Sequence, residues 1–275
     1  MVDKTISYPT GEAISYSAGL SNKNNQVAGC KLSVIIITKN EAENIHACLE
    51  SVAWADEIIV VDSGSSDATV EICKSFGAQV HVHDWPGFGA QKNRALDYAS
   101  KEWVLSIDAD ERVTPELRTE INSVQRNPQA DGYEIPRLSS FCGRFMHHSG
   151  WYPDYVTRLF RRGAARFSDD LVHERLIVNG SVEKLRQHLL HETFHDLEEL
   201  LTKINQYSTA GARMLNEKNQ TASLKKAVGH AIWAFFRTYL LRMGFLDGRE
   251  GFMLAVSTAE STYYRYAKLM LINKR

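Results

Sequence analysis

Two hydrophobic patterns divide the chain. Over residues 32–125, short β-branched apolar runs alternate with segments whose apolar positions recur every three to four residues. This is typical of buried parallel strands alternating with helices. The predicted strands are 32–38, 57–61, 79–83 and 103–107, and the predicted helices are 41–52, one ending near residue 76, 90–99 and one opening at Pro115. Such an alternation predicts an α/β fold with a doubly wound, mostly parallel sheet.

The pattern changes after about residue 130. Residues 132–141, 155–160 and 176–182 are predicted strands, and a loop rich in Gly, His and aromatic residues joins the first two. Helical spacing then predicts helices over about 196–217, 222–246 and 249–272. Residues 1–30 have no periodicity and are predicted to be a flexible leader. We therefore expect an α/β domain over 31–195 and a C-terminal amphipathic helical extension over 196–275.

Composition narrows the class of protein. The 275 residues are 44% apolar and carry 32 basic and 33 acidic side chains, so the charge gives no support to nucleic-acid binding. The four cysteines are isolated, which is typical of core residues in a reducing compartment. No secretory signal and no apolar run of ~18 residues occurs, so a spanning helix is not expected. These features favour a cytoplasmic protein.

The net charge of the whole chain is close to zero, but its C-terminal segment is basic. Residues 225–275 contain nine Lys or Arg and three Asp or Glu, interleaved with aromatic and aliphatic residues. Basic amphipathic helices can lie on an anionic membrane, here as a peripheral protein on the inner membrane. They can equally pack on the catalytic domain or pair into a homo-oligomer. The sequence leaves these alternatives open.

Polar residues follow three of the predicted strands. They are grouped in 38–41, 62–67 and 108–110. Open α/β sheets bind ligands at the carboxyl ends of their strands, near a switch in strand order. We therefore expect these three groups to meet at one edge of the sheet.

The residue types at this edge favour a nucleotide diphosphate bound with a metal. Asp108 and Asp110 offer the hard oxygen ligands that suit Mg²⁺ or Mn²⁺, although a bare pair of this kind can also be a solvated acidic turn. Asp62 could accept hydrogen bonds from a nucleobase or a ribose. Lys92 and Arg94 could reach phosphates or be ordinary solvated helix charges.

The same motifs resemble a known family. Ser-Val-Ile-Ile-Ile-Thr-Lys-Asn-Glu at 33–41, Val-Val-Asp-Ser-Gly-Ser-Ser-Asp at 60–67, Gln-Lys-Asn-Arg at 91–94 and Asp-Ala-Asp at 108–110 occur in the order typical of inverting family 2 glycosyltransferases with the GT-A fold. Later motifs at 150–154, 158–161, 172–174 and 244–248 resemble the lipopolysaccharide-core β-glucosyltransferase subgroup. With them, the resemblance extends over about residues 31–270.

The resemblance implies roles for the residues at the matched positions. Those expected to line the nucleotide-sugar cleft are Thr38, Asn40, Glu41, Asp62, Lys92, Arg94 and Asp108. Asp110 would be the principal ligand of Mg²⁺ or Mn²⁺, and Asp108 would face the ribose or the metal. His173 would assist the metal or the diphosphate.

An inverting transfer requires a general base that faces the acceptor hydroxyl. Glu174 is the favoured candidate and Asp154 the second. The resemblance implies transfer of glucose from UDP-glucose to an inner-core heptose of lipopolysaccharide, a lipid-linked oligosaccharide acceptor. The alternatives are another glycan or peptide acceptor, a nucleotidyltransferase and a non-catalytic membrane-docking scaffold.

Two further expectations concern side chains outside the main motifs. Arg158 and Arg161 flank an apolar Leu-Phe pair, so strand alternation places neither on the apolar face. Both could bind acceptor phosphates or simply be solvated. A transition-metal site is not expected from the histidines at 147, 148, 188, 191 and 195. For His191, which lies one helical turn before His195 if the helix starts early, a capping or solvated role is favoured.

Overall fold

A computed structural model describes residues 32–168, 175–194 and 196–273. The predicted leader 1–30 and the predicted site residues His173 and Glu174 lie outside these ranges. The strands of the described ranges are β1 (Leu32–Thr38), β2 (Glu57–Asp62), β3 (Gln79–Val82), β4 (Trp103–Ser106), β5 (Glu111–Val113), β6 (Gly132–Phe141), β7 (Arg144–Phe145), β8 (Asp154–Arg161), β9 (Ala165–Phe167), β10 (Leu176–Val178), β11 (Val182–Lys184) and β12 (Leu189–Phe194).

Helices connect and follow these strands. They are α1 (Ala42–Val52), α2 (Thr69–Ser75), α3 (Phe88–Tyr98), α4 (Pro115–Arg126), α5 (Leu197–Glu217), α6 (Leu224–Phe236) and α7 (Gly248–Ile272). Between α6 and α7 the chain forms a π-helical turn, Arg237–Leu241, and a 3₁₀ turn, Gly244–Asp247. In the described part of the chain, none of the helices is both long enough and apolar enough to span a bilayer.

A mixed sheet forms the centre of the molecule. Its strand order is β3-β2-β1-β4-β8-β6-β12-β5, and β7 and β11 also pair with β6. β3, β2, β1 and β4 are parallel, whereas β8 is antiparallel to both β4 and β6. The strand order reverses between β1 and β4, which creates the switch point where such sheets bind ligands. The predicted α/β GT-A fold with a helical C-terminus is confirmed.

The apolar run of β1 is buried because helices cover both faces of the sheet. Val34 and Ile36 belong to one core cluster with Ile45 and Leu49 of α1, the positions that show helical spacing in the sequence. Ile35 lies in a second cluster on the opposite face, together with residues of β2 and α3. Side chains of a strand alternate between faces, so a continuous apolar run fits only a strand buried on both sides.

The structure differs from the predicted elements in several places, and the short strands β7 and β9 are among the elements that were not predicted. Residues 176–182 form parts of two short strands, β10 and β11, rather than one. β5 and β12 were not predicted, because each is short and pairs only with distant segments. The predicted helix 222–246 ends early: α6 ends at Phe236, the π-helical turn ends at Leu241, and Met243 takes a left-handed conformation with a φ of +53°. At this break, buried Asp247 accepts hydrogen bonds from the backbone N–H groups of His147 and His148, so packing against the 147–149 loop overrides the helical pattern.

The C-terminal helices pack against the sheet through a separate apolar cluster. Phe141 of β6 and Met146 contact Leu200 and Ile204 of α5 and Leu254 of α7 in this cluster. The buried positions of α5 recur at four-residue spacing, as expected for an amphipathic helix with one face on the core.

Candidate active site

The three predicted polar groups meet at the switch-point edge of the sheet. Because β1 is parallel to β2 and β4, the ends of all three strands lie side by side, with Thr38 opposite Asp62 and Ile35 opposite Ser106. The backbone N–H of Ile107 continues the pairing by donating to Ile35. The loops that follow the strands therefore share one surface.

Asp62 organises the loop after β2. It is 1% exposed, and its carboxylate accepts hydrogen bonds from the Thr38 hydroxyl at 3.0 Å and the N–H groups of Gly64 and Ser65 at 2.9 and 2.8 Å. The Ser65 hydroxyl is a fourth donor. An ionised carboxylate has about four acceptor positions, so internal donors fill those of Asp62. A contact between Asp62 and a nucleotide, which stays a prediction, would replace one of these donors.

Asn40 links the loops after β1 and β2. Its φ is +56°, a left-handed conformation that Asn adopts more readily than most residues. Its side-chain oxygen accepts from the Ser66 N–H at 2.8 Å, and its own N–H donates to the Ser65 hydroxyl. The two loops thus form one hydrogen-bonded unit, with the Asn40 side chain exposed at its surface.

Glu41 faces the carboxylates of this edge from the start of α1. Burial raises the pKa of Glu41 above its usual value; a hydrogen bond from Asn44 opposes this rise, and the negative charges of Asp110 and Asp67 add to it.

Asp108 is held by two cations. Its Oδ1 lies 3.0 Å from the Lys92 ammonium, and its Oδ2 accepts from the Arg158 guanidinium at 2.5 Å. The same Nη2 of Arg158 donates at 2.6 Å to Glu111, whose side chain is fully buried. Burial on its own would raise the pKa of Asp108, but Arg158 and Lys92 outweigh it and hold that pKa well below its usual range.

The solvated alternative for Arg158 is wrong, since its side chain is buried, whereas binding of acceptor phosphates stays a prediction. β8 is a central strand between β4 and β6, and its residues 158–160 are all buried, so it has no solvent face at this point. The Arg158 charge is compensated there by two carboxylates. Arg161, at the end of the same strand, is part-exposed and pairs with exposed Glu102, as the sequence predicted for a residue off the apolar face.

Asp110 lies beside His191. The distance from its Oδ2 to the Nε2 of His191 is 3.4 Å, and its backbone carbonyl accepts from the Glu192 N–H at 2.9 Å. The other ring nitrogen of His191 lies 3.0 Å from the Ser139 hydroxyl. His191 belongs to β12 rather than to a helix start, and its side chain is mostly buried, so the predicted capping or solvated role was wrong.

Asp110 and His191 form a donor pair that fits a divalent cation. A metal-bound imidazole commonly uses its second nitrogen for a hydrogen bond that fixes the ring, as Ser139 would provide here. Over residues 32–168, 175–194 and 196–273, no group of three His, Cys, Asp or Glu converges on one point. The remaining ligands of a cation at this pair could be a bound diphosphate, water or a residue outside these ranges, such as the predicted His173.

A pocket of about 400 Å³ adjoins Asp108. Its charged lining residues are Lys92, Asp108, Arg137, Arg158 and Arg175. Four cations and one carboxylate give this pocket a net positive charge, which suits an anionic ligand.

Of the remaining predicted residues, Arg94 lies apart from the Asp108 network, whereas Asp154 is linked to it through Arg137. Arg94 contacts the Asp84 carboxylate at 2.9 Å and the Asp84 carbonyl, and no contact joins it to Asp108 in the described residues. Asp154 begins β8 and accepts from Arg137 at 2.5 Å; Arg137 also lies 3.6 Å from Glu111. Arg137 therefore links Asp154, a candidate general base, to Glu111 and through it to Arg158 and Asp108.

Sequence reasoning missed the roles of Glu111, Arg137, Arg158 and His191. Glu111 directly follows the Asp-Ala-Asp motif, which is the one signal that could have drawn attention to it. The other three lie more than 25 residues further along the chain and reach the site only through β6, β8 and β12.

Open α/β sheets bind their ligands at a switch point of this kind, and the carboxylates and cations described above lie there. The model of the family described as glycosyl transferase family 2 matches residues 33–186. The chain belongs to glycosyltransferase family 2, which makes it a transferase, and the resemblance seen in the sequence is confirmed.

Individual proteins agree with the family. The chain is 33% identical over 255 residues to an uncharacterised glycosyltransferase of Rickettsia bellii, covering 87% of this chain and 86% of that protein. It is 30% identical over 256 residues to the lipopolysaccharide core biosynthesis glycosyltransferase LpsC of Rhizobium meliloti, covering 86% and 93%. Among solved structures, S. aureus TarS 1–349 in complex with UDP-GlcNAc aligns with a TM-score of 0.47 at 18% identity, covering 89% and 91%.

Proposed function

We propose that the protein is a metal-dependent, inverting glycosyltransferase that moves a hexose, glucose, from a UDP-sugar to an inner-core heptose of lipopolysaccharide. Family membership supports the transferase reaction, and similarity to LpsC supports the acceptor class. The observation that carries the proposal is the pairing of Asp110 with His191 at the switch point, beside the cation-held Asp108.

Asp110 and His191 would hold the metal. A divalent cation there would supply positive charge that stabilises the departing UDP. Mn²⁺ suits the pair better than Mg²⁺, because Mg²⁺ takes oxygen ligands almost exclusively, whereas His191 offers a nitrogen. Asp108 already accepts from two cations, so Asp110 is the stronger candidate for the metal ligand of the two.

Cationic side chains would bind the diphosphate. Lys92 and Arg158 line the 400 Å³ pocket and are kept in place by Asp108 and Glu111, so their positions are set before a ligand arrives. Fixed charges that face the developing negative charge of a leaving group stabilise the transition state without reorganisation. The uracil and ribose would lie against the loops of Asn40 and Asp62.

Asp154 or Glu174 would take the proton of the acceptor hydroxyl. Asp154 lies at the start of β8, and its side chain is 46% exposed, so an acceptor can reach it. Glu174 precedes the pocket-lining residue Arg175 in the chain. The two candidates are separated by the variants Asp154→Asn and Glu174→Gln, of which only the substitution of the base should remove transfer while leaving UDP-sugar binding intact.

A screen of UDP-sugars with Mn²⁺ tests the proposal. The purified protein is incubated with each UDP-sugar and a lipid A–Kdo–heptose acceptor, and UDP release and the mass of the glycolipid are measured. We expect a mass increase of one hexose with UDP-glucose and no turnover after metal chelation. If no UDP-sugar is bound or cleaved with Mn²⁺ or Mg²⁺, the proposal is wrong.

A matched pair of carboxylate variants locates the metal. Asp110→Asn should abolish metal-dependent turnover, whereas Asp97→Asn should not, since Asp97 lies on α3 and pairs with exposed Arg166. An unchanged rate in Asp110→Asn would remove Asp110 from the site. Turnover of a heptose-free glycan in place of the core acceptor would refute the proposed acceptor while leaving the transferase reaction intact.

A further inference from the structure

The region between the middle of α6 and the first half of α7 exposes an unusual number of large apolar side chains. Each is between 41% and 66% exposed. We call this set the apolar face; it consists of Ile232, Trp233, Phe236, Leu240, Leu241, Met243, Phe245, Leu246 and Phe252. Single exposed apolar residues are normal on protein surfaces, but a contiguous group of this size marks an interaction site.

The apolar face is continuous. The rings of Trp233 and Phe236 are 5.9 Å apart, and Leu240 follows Phe236 at four-residue spacing. Tyr239 connects α6 with the segments after it, since its ring lies 5.5 Å from that of Phe235 in α6, 6.3 Å from that of Phe245 and 5.5 Å from that of Phe252. The break at Met243 therefore turns the 3₁₀ segment so that its apolar residues extend the surface of α6.

In the segment that carries the apolar face, the acidic side chains are buried and the basic side chains are exposed. Residues 221–259 contain two acidic side chains, Asp247 and Glu250, which are 2% and 7% exposed and are engaged with the 147–149 loop and with Arg249, respectively. The basic side chains of the same segment are all exposed; they are Lys225, Lys226, Arg237, Arg242 and Arg249. Solvent thus meets apolar groups and positive charge but almost no negative charge.

We propose that the apolar face inserts into the interface of an anionic lipid bilayer. Large apolar and aromatic side chains bordered by Lys and Arg are the composition that binds such interfaces, where the apolar groups enter the acyl boundary and the cations meet lipid phosphates. The segment lies on the membrane and does not cross it. This inference does not depend on the proposed sugar transfer.

The charge pattern favours a membrane over a second copy of the chain. A two-fold symmetric interface brings the same patch of both subunits together. It would place the five exposed cations of one copy against those of the other, without exposed carboxylates of this segment to compensate them. Anionic lipid supplies the missing opposite charge.

Vesicle co-sedimentation tests the proposal with the full chain. Wild-type protein should pellet with phosphatidylcholine vesicles that contain phosphatidylglycerol and much less with phosphatidylcholine alone, and added salt should weaken the binding. Equal binding to both vesicle types would contradict the role of the basic residues. No binding to either would overturn the proposal.

Variants assign the binding to the face. Trp233→Ser combined with Leu241→Ser should lower the partition coefficient on the order of tenfold or more, because two large apolar groups are lost. Arg237→Glu should lower it about fivefold or more on anionic vesicles. Binding unchanged in both variants would overturn the proposal.

Controls separate the face from general surface effects. Ile177→Ser with Val182→Ser removes two apolar residues that are 56% and 44% exposed on β10 and β11, and Lys74→Glu reverses an exposed charge on α2. These should bind vesicles like the wild type, and thermal melts should show that every variant is folded.

A dimer in analytical ultracentrifugation that Trp233→Ser and Leu241→Ser dissociate would assign the face to a second copy. Vesicle binding that disappears when residues 1–30 are removed would assign it to that segment; either result contradicts the proposal.

Discussion

Removing the Arg158 guanidinium should destabilise the fold severely. In the Arg158→Met variant, Glu111 stays fully buried, with Arg137 at 3.6 Å as its nearest remaining cation, and Asp108 keeps only Lys92. Breaking a buried ion pair from one side costs about 3–5 kcal/mol, because it leaves an uncompensated charge in the interior. Since domains are stable by only about 5–15 kcal/mol, we expect a loss of a large part of the free energy of unfolding.

Arg161→Met is the matched control on the same strand. Arg161 is 34% exposed and pairs with Glu102, which is 60% exposed. Exposed pairs contribute about 0–1 kcal/mol, and the position of Arg161 over the Trp103 ring adds a similar small amount. Urea unfolding followed by fluorescence measures both variants, and the midpoint of Arg158→Met should fall far below that of Arg161→Met.

A second substitution tests the physical reason. Replacing Glu111 by Gln removes the charge that Arg158→Met leaves unpaired, so the double variant should be less destabilised than the sum of the single variants by about 1 kcal/mol or more. Equal midpoints for Arg158→Met and Arg161→Met, or strict additivity in the double variant, would refute the reasoning from buried charge.

Three further predictions concern other parts of the fold. Burial raises the pKa of Cys73 to about 12 and that of Cys48 above its usual range, so iodoacetamide should label neither thiol in the native protein at pH 8. Because the pKa of each thiol is higher in the folded than in the unfolded state, the free energy of unfolding should fall as the pH rises from about 9 to 12. Peptide mass spectrometry and urea unfolding check these points; native labelling would contradict them. Gly248→Ala should cost about 1–3 kcal/mol, because Gly248 has a φ of +70° and a ψ of −145°, and an unchanged melting temperature would be the opposing result. Thr114→Ala should cost about 1 kcal/mol, since the Thr114 hydroxyl caps α4 by accepting from the Leu117 N–H; Thr114→Ser should retain most of the stability.

The first half of the fold was predictable because its signals are local. β1, β2 and β4 each contain a continuous apolar run, and each polar group directly follows one of these strands, so the sheet edge could be located from chain order alone. Thr38 and Asp62 meet because parallel strands place their ends side by side.

The second half was less predictable because its partners are distant in sequence. Strand alternation was used to predict that Arg158 lies off the apolar face. Alternation does not predict solvent exposure in a central strand that is covered on both faces. His191 was assigned to a helix start, whereas pairing with β6 and β5 makes it part of a strand beside Asp110. The helical spacing of apolar residues continues across Met243 in the sequence. It does not indicate the break in the helical backbone there or the hydrogen bonds of buried Asp247 that follow it.

The metal dependence of UDP binding tests the central claim most directly. Isothermal titration calorimetry of UDP is performed with and without Mn²⁺ on the wild type, Asp110→Asn, His191→Ala and the control Asp97→Asn. If Asp110 and His191 hold the metal, Mn²⁺ should strengthen UDP binding by the wild type and by Asp97→Asn. Asp110→Asn and His191→Ala should lose this enhancement. UDP affinity that is the same with and without Mn²⁺ in the wild type, or a full enhancement in Asp110→Asn, would contradict this claim.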